Sequence, residues 1–242
     1  MEKPEGLRVY RDTDELARAA ARLLLNLSSE KIKEKGSFTV VLSGGKTPET
    51  LYRLLASPEF KESIEWTKVR IFWGDERCVP PDDPESNYGM ASRALLSKVP
   101  VPPENLHRIK GELGPSLASA LYEEEITAYF KDSAPVFDLV LLGLGEDGHT
   151  LSLFPGTEAL DERKRLVAGN FVGKLGSWRV TMTLQLVNRA SNLVFIAAGA
   201  GKSRALKEAL EGRDNPAGKI RPVNGRLLWL ADMDAAKPLK GF

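Results

Sequence analysis

The sequence predicts an α/β protein built on a doubly wound, mostly parallel sheet. Three observations carry that prediction. Apolar runs of strand length recur along the chain, amphipathic helical stretches separate them, and glycine or proline bounds most of the runs. The 242 residues suffice for a full hydrophobic core, and the 42% hydrophobic and 28% charged content is that of an ordinary globular protein. No repeat, low-complexity segment or linker interrupts it, so residues 1–242 read as one domain.

The elements follow in order. After a short strand at "LRVY", residues 14–27 place Leu16, Ala19, Ala20, Leu23, Leu24 and Leu27 at helical spacing, and Asp12 with Glu15 forms a capping-box pattern. "FTVVL" (38–42) is a buried strand. A glycine turn leads to the helix "PETLYRLLA", with Pro48 in its first turn and Thr47 as its expected cap. "VRIFW" (69–73) is the next strand, the Pro-rich "CVPPDDPESN" a loop, and "SNYGMASRALLSK" a helix. A short segment at "LHRI" precedes the helix "SLASALYEEEITAYF" and the strand "FDLVLLG". "WRVTMTL", "NLVFIAA" and "RLLWLA" are further strands, with the helix "KSRALKEALE" between the last two.

The totals exclude several functions. A net charge of +1 does not describe a nucleic-acid or anionic-membrane surface. One cysteine, Cys78, permits no internal disulfide framework and no cysteine-rich metal site. No apolar run approaches a membrane span, and the charged N-terminus lacks the apolar core of a signal peptide. A cytoplasmic protein is expected, monomeric or a small homo-oligomer, with no membrane, nucleic acid or metal partner.

In open parallel sheets, ligands bind outside the carboxyl ends of the strands. Four polar or glycine-rich loops follow predicted strands: residues 43–47, 75–77, 143–149 and 199–202. In "SGGKTP", Gly44 and Gly45 let the backbone approach a ligand, and Ser43, Lys46 and Thr47 add donors beside the free N–H groups of a helix start. That combination reads as a phosphate cradle, whereas a lone glycine pair would read as a tight turn. "AAGAGKS" nearly spells a Walker loop, but Ile196 stands where its first glycine belongs. What remains is Lys202 at a helix start, which reads either as a second phosphate contact or as a lysine on a solvated helix start. Asp75, Glu76 and Arg77 can orient hydroxyls or a catalytic group. Arg179 opens a strand; alone it reads as solvated. Cys78 reads as a small apolar residue, and His107, without acidic neighbours in sequence, as structural.

Gly143, Gly145 and Gly148 spell G-x-G-x-x-G, the spacing of a dinucleotide-binding turn. Such a turn needs a helix starting inside the motif, and here Pro155 and Gly156 intervene too soon. The alternative is a tight loop that projects His149, one of two histidines, with Asp147 nearby. An imidazole titrates near neutrality and can take a proton from water, and a carboxylate can set its tautomer. The spacing of two leaves open whether Asp147 and His149 touch.

Together, "LSGGKTP", "GDERCVPPDDPESNY", "DLVLLGLGEDGHTLSLFPG", "RVTMTL" and "PAGKIRPVNGRLLWLAD" resemble the 6-phosphogluconolactonase family, within a superfamily that includes glucosamine-6-phosphate isomerase/deaminase. The likeness covers nearly the whole chain in the right order. It implies a modified Rossmann-like sheet and a cytoplasmic role in the oxidative pentose phosphate pathway. The implied reaction is hydrolysis of 6-phospho-D-glucono-1,5-lactone to 6-phosphogluconate, without metal or organic cofactor. By the same resemblance the phosphate lies on Ser43, Gly44, Gly45, Lys46 and Thr47 with Arg179 and Lys202 as clamps. His149 is then the general base, and Asp147, Asp75 and Arg77 line the reacting centre; Glu76 and Asn87 stay unassigned. Leu151 and Cys78 are minor departures from the family pattern. Deaminase relatives carry a glutamate in a segment resembling "FNEP", and here the segment is "SLFPG". An isomerase/deaminase and a non-catalytic sugar-phosphate sensor are the competing readings.

Overall fold

The computed structural model describes residues 6–131 and 133–239. Its strands in chain order are β1 (Leu7–Tyr10), β2 (Phe38–Leu42), β3 (Val69–Trp73), β4 (Asp75–Arg77), β5 (Leu106–His107), β6 (Leu139–Gly143), β7 (Val167–Val172), β8 (Ser177–Met182), β9 (Asn192–Ala197) and β10 (Arg226–Asp232). The helices are α1 (Thr13–Lys35), α2 (Lys46–Leu55), α3 (Pro58–Lys61), α4 (Asn87–Ala94), α5 (Pro115–Phe130), α6 (Leu184–Val187), α7 (Ser203–Leu210) and α8 (Met233–Ala236).

Seven strands form an all-parallel sheet in the order β1-β10-β9-β6-β2-β3-β5. Every residue of β2 and β9 is buried, so both faces of the sheet are covered, as apolar runs without alternation require. From β2 the chain winds outward through β3 to β5, and from β6 it winds the other way through β9 to β10. Neighbouring β2 and β6, paired Val40 to Leu139 and Val41 to Val140, therefore mark the point where the winding reverses. Loops leaving their carboxyl ends diverge and open a crevice there.

The other three strands form a second, antiparallel sheet, β4-β8-β7. This corrects two expectations. "WRVTMTL" does not join the parallel sheet, and Asp75, Glu76 and Arg77 are a strand rather than a loop. The junction is Gly74, whose N–H donates to the Leu42 carbonyl in one sheet and whose carbonyl accepts from Met182 in the other. A side chain on Gly74 would lie 2.5 Å from Leu151 Cδ2, so the crossing packs closely against Leu151. Strand β7 was not anticipated, because Gly169 and Asn170 break its apolar pattern. Gly169 is required there, since Pro115 Cβ lies 2.8 Å from where its Cβ would be.

Helix α1 exceeds the expected 14–27, its added turns burying Ser28 and Ile32 on the same face. Asp12 caps it by accepting from Glu15 N at 2.9 Å, while Glu15 accepts from Arg11 N rather than from Asp12. Helix α2 begins at Lys46 with Gly45 at its cap position, so Thr47 lies inside the first turn and does not cap it. Gly45 has φ 107°, which a β-branched or bulky residue would not adopt. The predicted 86–98 helix ends as an α-helix at Ala94.

Candidate active site

Two buried tyrosines hold the carboxyl ends of β2 and β3. The Tyr52 hydroxyl accepts from Ser43 N and donates to its carbonyl, at 2.9 and 2.8 Å, so α2 ties down the start of its own entry loop. Tyr122 does the same for Trp73, at 2.9 Å in each direction. Burial raises both phenols, keeping them as neutral donors.

All four predicted segments meet at a cleft of about 180 Å³ at the β2–β6 reversal. Ser43, Gly44, Gly45, Asp75, Arg77, His149 and Lys202 line it, with Asn87 beside them. Lys46, Thr47 and Arg179 are not among the lining residues. Lys46 and Thr47 form the first turn of α2, and Arg179 stands opposite Arg77 in the antiparallel ladder. Asp147 is not in the cleft wall either. It sits behind His149 and faces a larger neighbouring cleft of about 810 Å³, bordered by Phe154, Phe171, Lys174 and Trp178.

His149 is fixed on three sides. Its Nδ1 lies 2.5 Å from Asp147 Oδ1, its backbone N–H donates to the same oxygen at 3.2 Å, and its ring stacks on Phe154 with centroids 4.0 Å apart. Against the carboxylate, Nδ1 is the protonated nitrogen and Nε2 keeps its lone pair. Gly145 lies so close to the imidazole that a Cβ would fall 2.0 Å from Nδ1. The G-x-G-x-x-G pattern thus makes room for a histidine, and no helix starts within it. Gly148, at φ 79°, packs on Asn215 and completes the turn.

Burial lowers the His149 pKa below 6.5, and Asp147 pulls it back only in part. Burial works to raise the Asp147 carboxyl, but Lys174 and His149 outweigh it and hold that group at about 2. Lys174 is an addition that sequence reasoning did not make. From the turn between β7 and β8 it forms an ion pair with Asp147 Oδ2, and its ammonium stands 4.7 Å from the Phe154 ring centre. Phe154 as the stacking partner was equally unforeseen, since nothing local in "SLFPG" signals it.

Asp75 is buried; Ser152 Oγ donates to its Oδ2 at 2.6 Å, and Asn87 Nδ2 donates to its carbonyl at 2.9 Å. Asn87 also fills the space that a side chain on Gly44 would need, linking the 43–47 loop to Asp75. Glu76 is architectural. Its carboxylate accepts from the backbone N–H groups of Arg77, Asn87 and Tyr88 and from Ser86 Oγ, anchoring the start of α4. Burial pushes that carboxyl up, against those backbone donors.

Arg77 and Arg179 face each other in register on β4 and β8, and Nε of Arg77 is buried without a partner. Burial lowers the Arg179 pKa, and the Arg77 charge lowers it further. Like charges opposite one another destabilise a sheet, so the pairing of these two guanidiniums carries an electrostatic cost that the strand contacts offset. Cys78 beside them is pushed up to about 11 by burial, leaving a poor nucleophile. His107 lies apart, stacked on Phe72 and 2.8 Å from Glu125. The acidic partner that its sequence neighbours lack is brought by α5.

A model described as "Glucosamine-6-phosphate isomerases/6-phosphogluconolactonase" matches residues 11–229, most of the chain. The chain belongs to this family. Family members include a 6-phosphogluconolactonase of Nostoc sp., 40% identical over 96% of this chain and 97% of the relative. Another, from Synechocystis sp., is 42% identical over 88% and 89% of the two chains. The solved 6-phosphogluconolactonase of Trypanosoma brucei superposes with a TM-score of 0.88 at 28% identity, covering 99% of this chain and all of the other. The family's Rossmann-like α/β architecture is the one found here. No helix among the described residues is long and apolar enough to cross a membrane.

Proposed function

We propose that the protein hydrolyses 6-phospho-D-glucono-1,5-lactone to 6-phosphogluconate. The observation that carries this reading is the setting of His149, with a carboxylate on Nδ1, a ring on its face, and Nε2 unengaged beside a cleft lined by cations and glycine amides. Membership of the family and the names of the relatives support the substrate.

The 6-phosphate is held by the 43–45 backbone, the first turn of α2 and Lys202, with Arg179 adding positive charge behind Arg77. That binding energy positions C1 beside a water on His149. Nε2 takes a proton as the water oxygen bonds to C1. Charge on the carbonyl oxygen is met by loop N–H groups or by Arg77. Collapse breaks the bond from C1 to the ring oxygen, and the imidazolium returns its proton to that oxygen. Asp147 keeps the tautomer and supports the transient positive charge, while Asp75 orients sugar hydroxyls. This sequence needs one acid–base group and a water. Moving a proton between carbons and releasing ammonia calls on a further carboxylate, and Phe154 occupies the corresponding segment.

Acid release in a pH-stat on fresh lactone, corrected for spontaneous hydrolysis, tests the reading. The wild type should release acid quickly, and His149→Ala should lower kcat by roughly 10²–10⁴-fold. Ammonia release from glucosamine 6-phosphate, or ligand-induced thermal stabilisation without turnover, would replace it with the isomerase/deaminase or the sensor reading.

A further inference from the structure

The tail "PAGKIRPVNGR" matched the family pattern, yet the proposed chemistry uses none of it. In the structure its Lys219 and Arg221 line a separate groove of about 630 Å³. Arg163, Arg189, Arg213, Lys219 and Arg221 border that groove, against a single carboxylate, Asp214. In a chain of net charge +1 this is a marked local excess.

The groove is held in shape by Asn188. Its Oδ1 accepts from Arg221 N at 2.8 Å, its Nδ2 donates to the Lys219 carbonyl at 3.3 Å, and its own carbonyl accepts from Val223 N at 2.8 Å. The 219–223 segment is thereby tied to the end of α6. Lys219 pairs with Asp214 at 3.1 Å and Arg213 with Glu211 at 3.2 Å, while Arg189 and Arg221 make no ion pair among the described residues. Arg221 Nε donates to the Gly218 carbonyl at 3.3 Å, and the two guanidiniums, from separate segments and without carboxylate partners among the described residues, offer the forked N–H donors that phosphate oxygens accept. The same wall reaches the candidate active site, because Ala217 N donates to the Gly148 carbonyl at 2.9 Å and Asn215 packs against Gly148.

We propose that this groove is a second anion site, recognising a small polyanion that carries two or more phosphate groups. The proposal does not rest on the lactonase reading. Calorimetric titration of the full chain with inorganic pyrophosphate tests it, using wild type, Lys202→Ala and the double variant Arg189→Ala/Arg221→Ala. Lys202→Ala should keep the groove's binding, and the double variant should lose at least about tenfold in affinity, as expected from two charge-assisted contacts. Binding should also weaken steeply with added salt. Arg221→Glu alone, whose fold is checked by its melting curve, should show the same loss. The proposal is overturned if pyrophosphate fails to bind the wild type, or if Lys202→Ala abolishes binding while the double variant retains it. Titration with a nucleoside diphosphate identifies the source: equal affinity assigns free polyphosphate and tighter binding assigns a nucleotide.

Discussion

Gly145 has no room for even one carbon, because His149 Nδ1 occupies that space. Gly145→Ala should therefore push the imidazole off Asp147, lowering kcat about 10²-fold while the circular dichroism spectrum stays unchanged. The pH dependence follows from the same contacts. Burial sets the His149 pKa below 6.5, and only the neutral imidazole can accept a proton from water. The acid limb of kcat/KM should then inflect below pH 6.5; an inflection above it would contradict the buried setting. Stability follows the same sign, since the unfolded chain takes that proton first. The contribution is full above 6.5 and is lost as pH falls through the folded value. For Asp147, stability present above 3.8 is lost as pH falls toward about 2. At this scale the histidine and its aspartate could be picked out from their company in the glycine loop, but their contact could not be read from a spacing of two. Lys174 and Phe154 could not be picked out, because an exposed lysine in a turn and an apolar residue before a proline look the same wherever they occur.

The β7–β8 hairpin carries the cation that completes this arrangement. Lys174→Met should free the imidazolium from a nearby positive charge, so the His149 pKa rises and the acid limb moves to higher pH. KM for the lactone should change little, since Lys174 lies on the far side of Asp147; a large KM change with no pH shift would remove its positioning role. The start of α4 is a second case. Glu76 collects three backbone N–H groups and a hydroxyl there, so Glu76→Ala should destabilise the protein by about 2–3 kcal/mol, read from denaturant unfolding. Strands with continuous apolar runs were legible as strands. Strand β7 was not, and the cap on α2 was misread, because both depend on what packs nearby: Pro115 against Gly169, and the left-handed Gly45 before Lys46.

Across the whole molecule, the reversal between β2 and β6 places the cleft, and Asp138 secures its far end. The buried Asp138 carboxylate accepts from Thr39 N and Thr39 Oγ1, each at 2.8 Å, and pairs with Lys35 of α1 at 2.8 Å. Asp138→Ala should cost about 2–3 kcal/mol and lower Tm by roughly 4–12 °C, with little change in KM. The same reversal explains why loops more than a hundred residues apart share one small cavity.

The sequence by itself determined the alternation of strands and helices, the parallel character of the main sheet and the four segments that meet at its carboxyl edge. Each is written in contiguous residues, through apolar periodicity, glycine placement and helix starts. Only the tertiary structure decided that Asp75, Glu76 and Arg77 leave that sheet for a second one, that Arg77 and Arg179 face each other, and that Lys174 reaches Asp147. Those pairings join segments tens of residues or more apart. Their energies come from burial and charge placement that no local window contains.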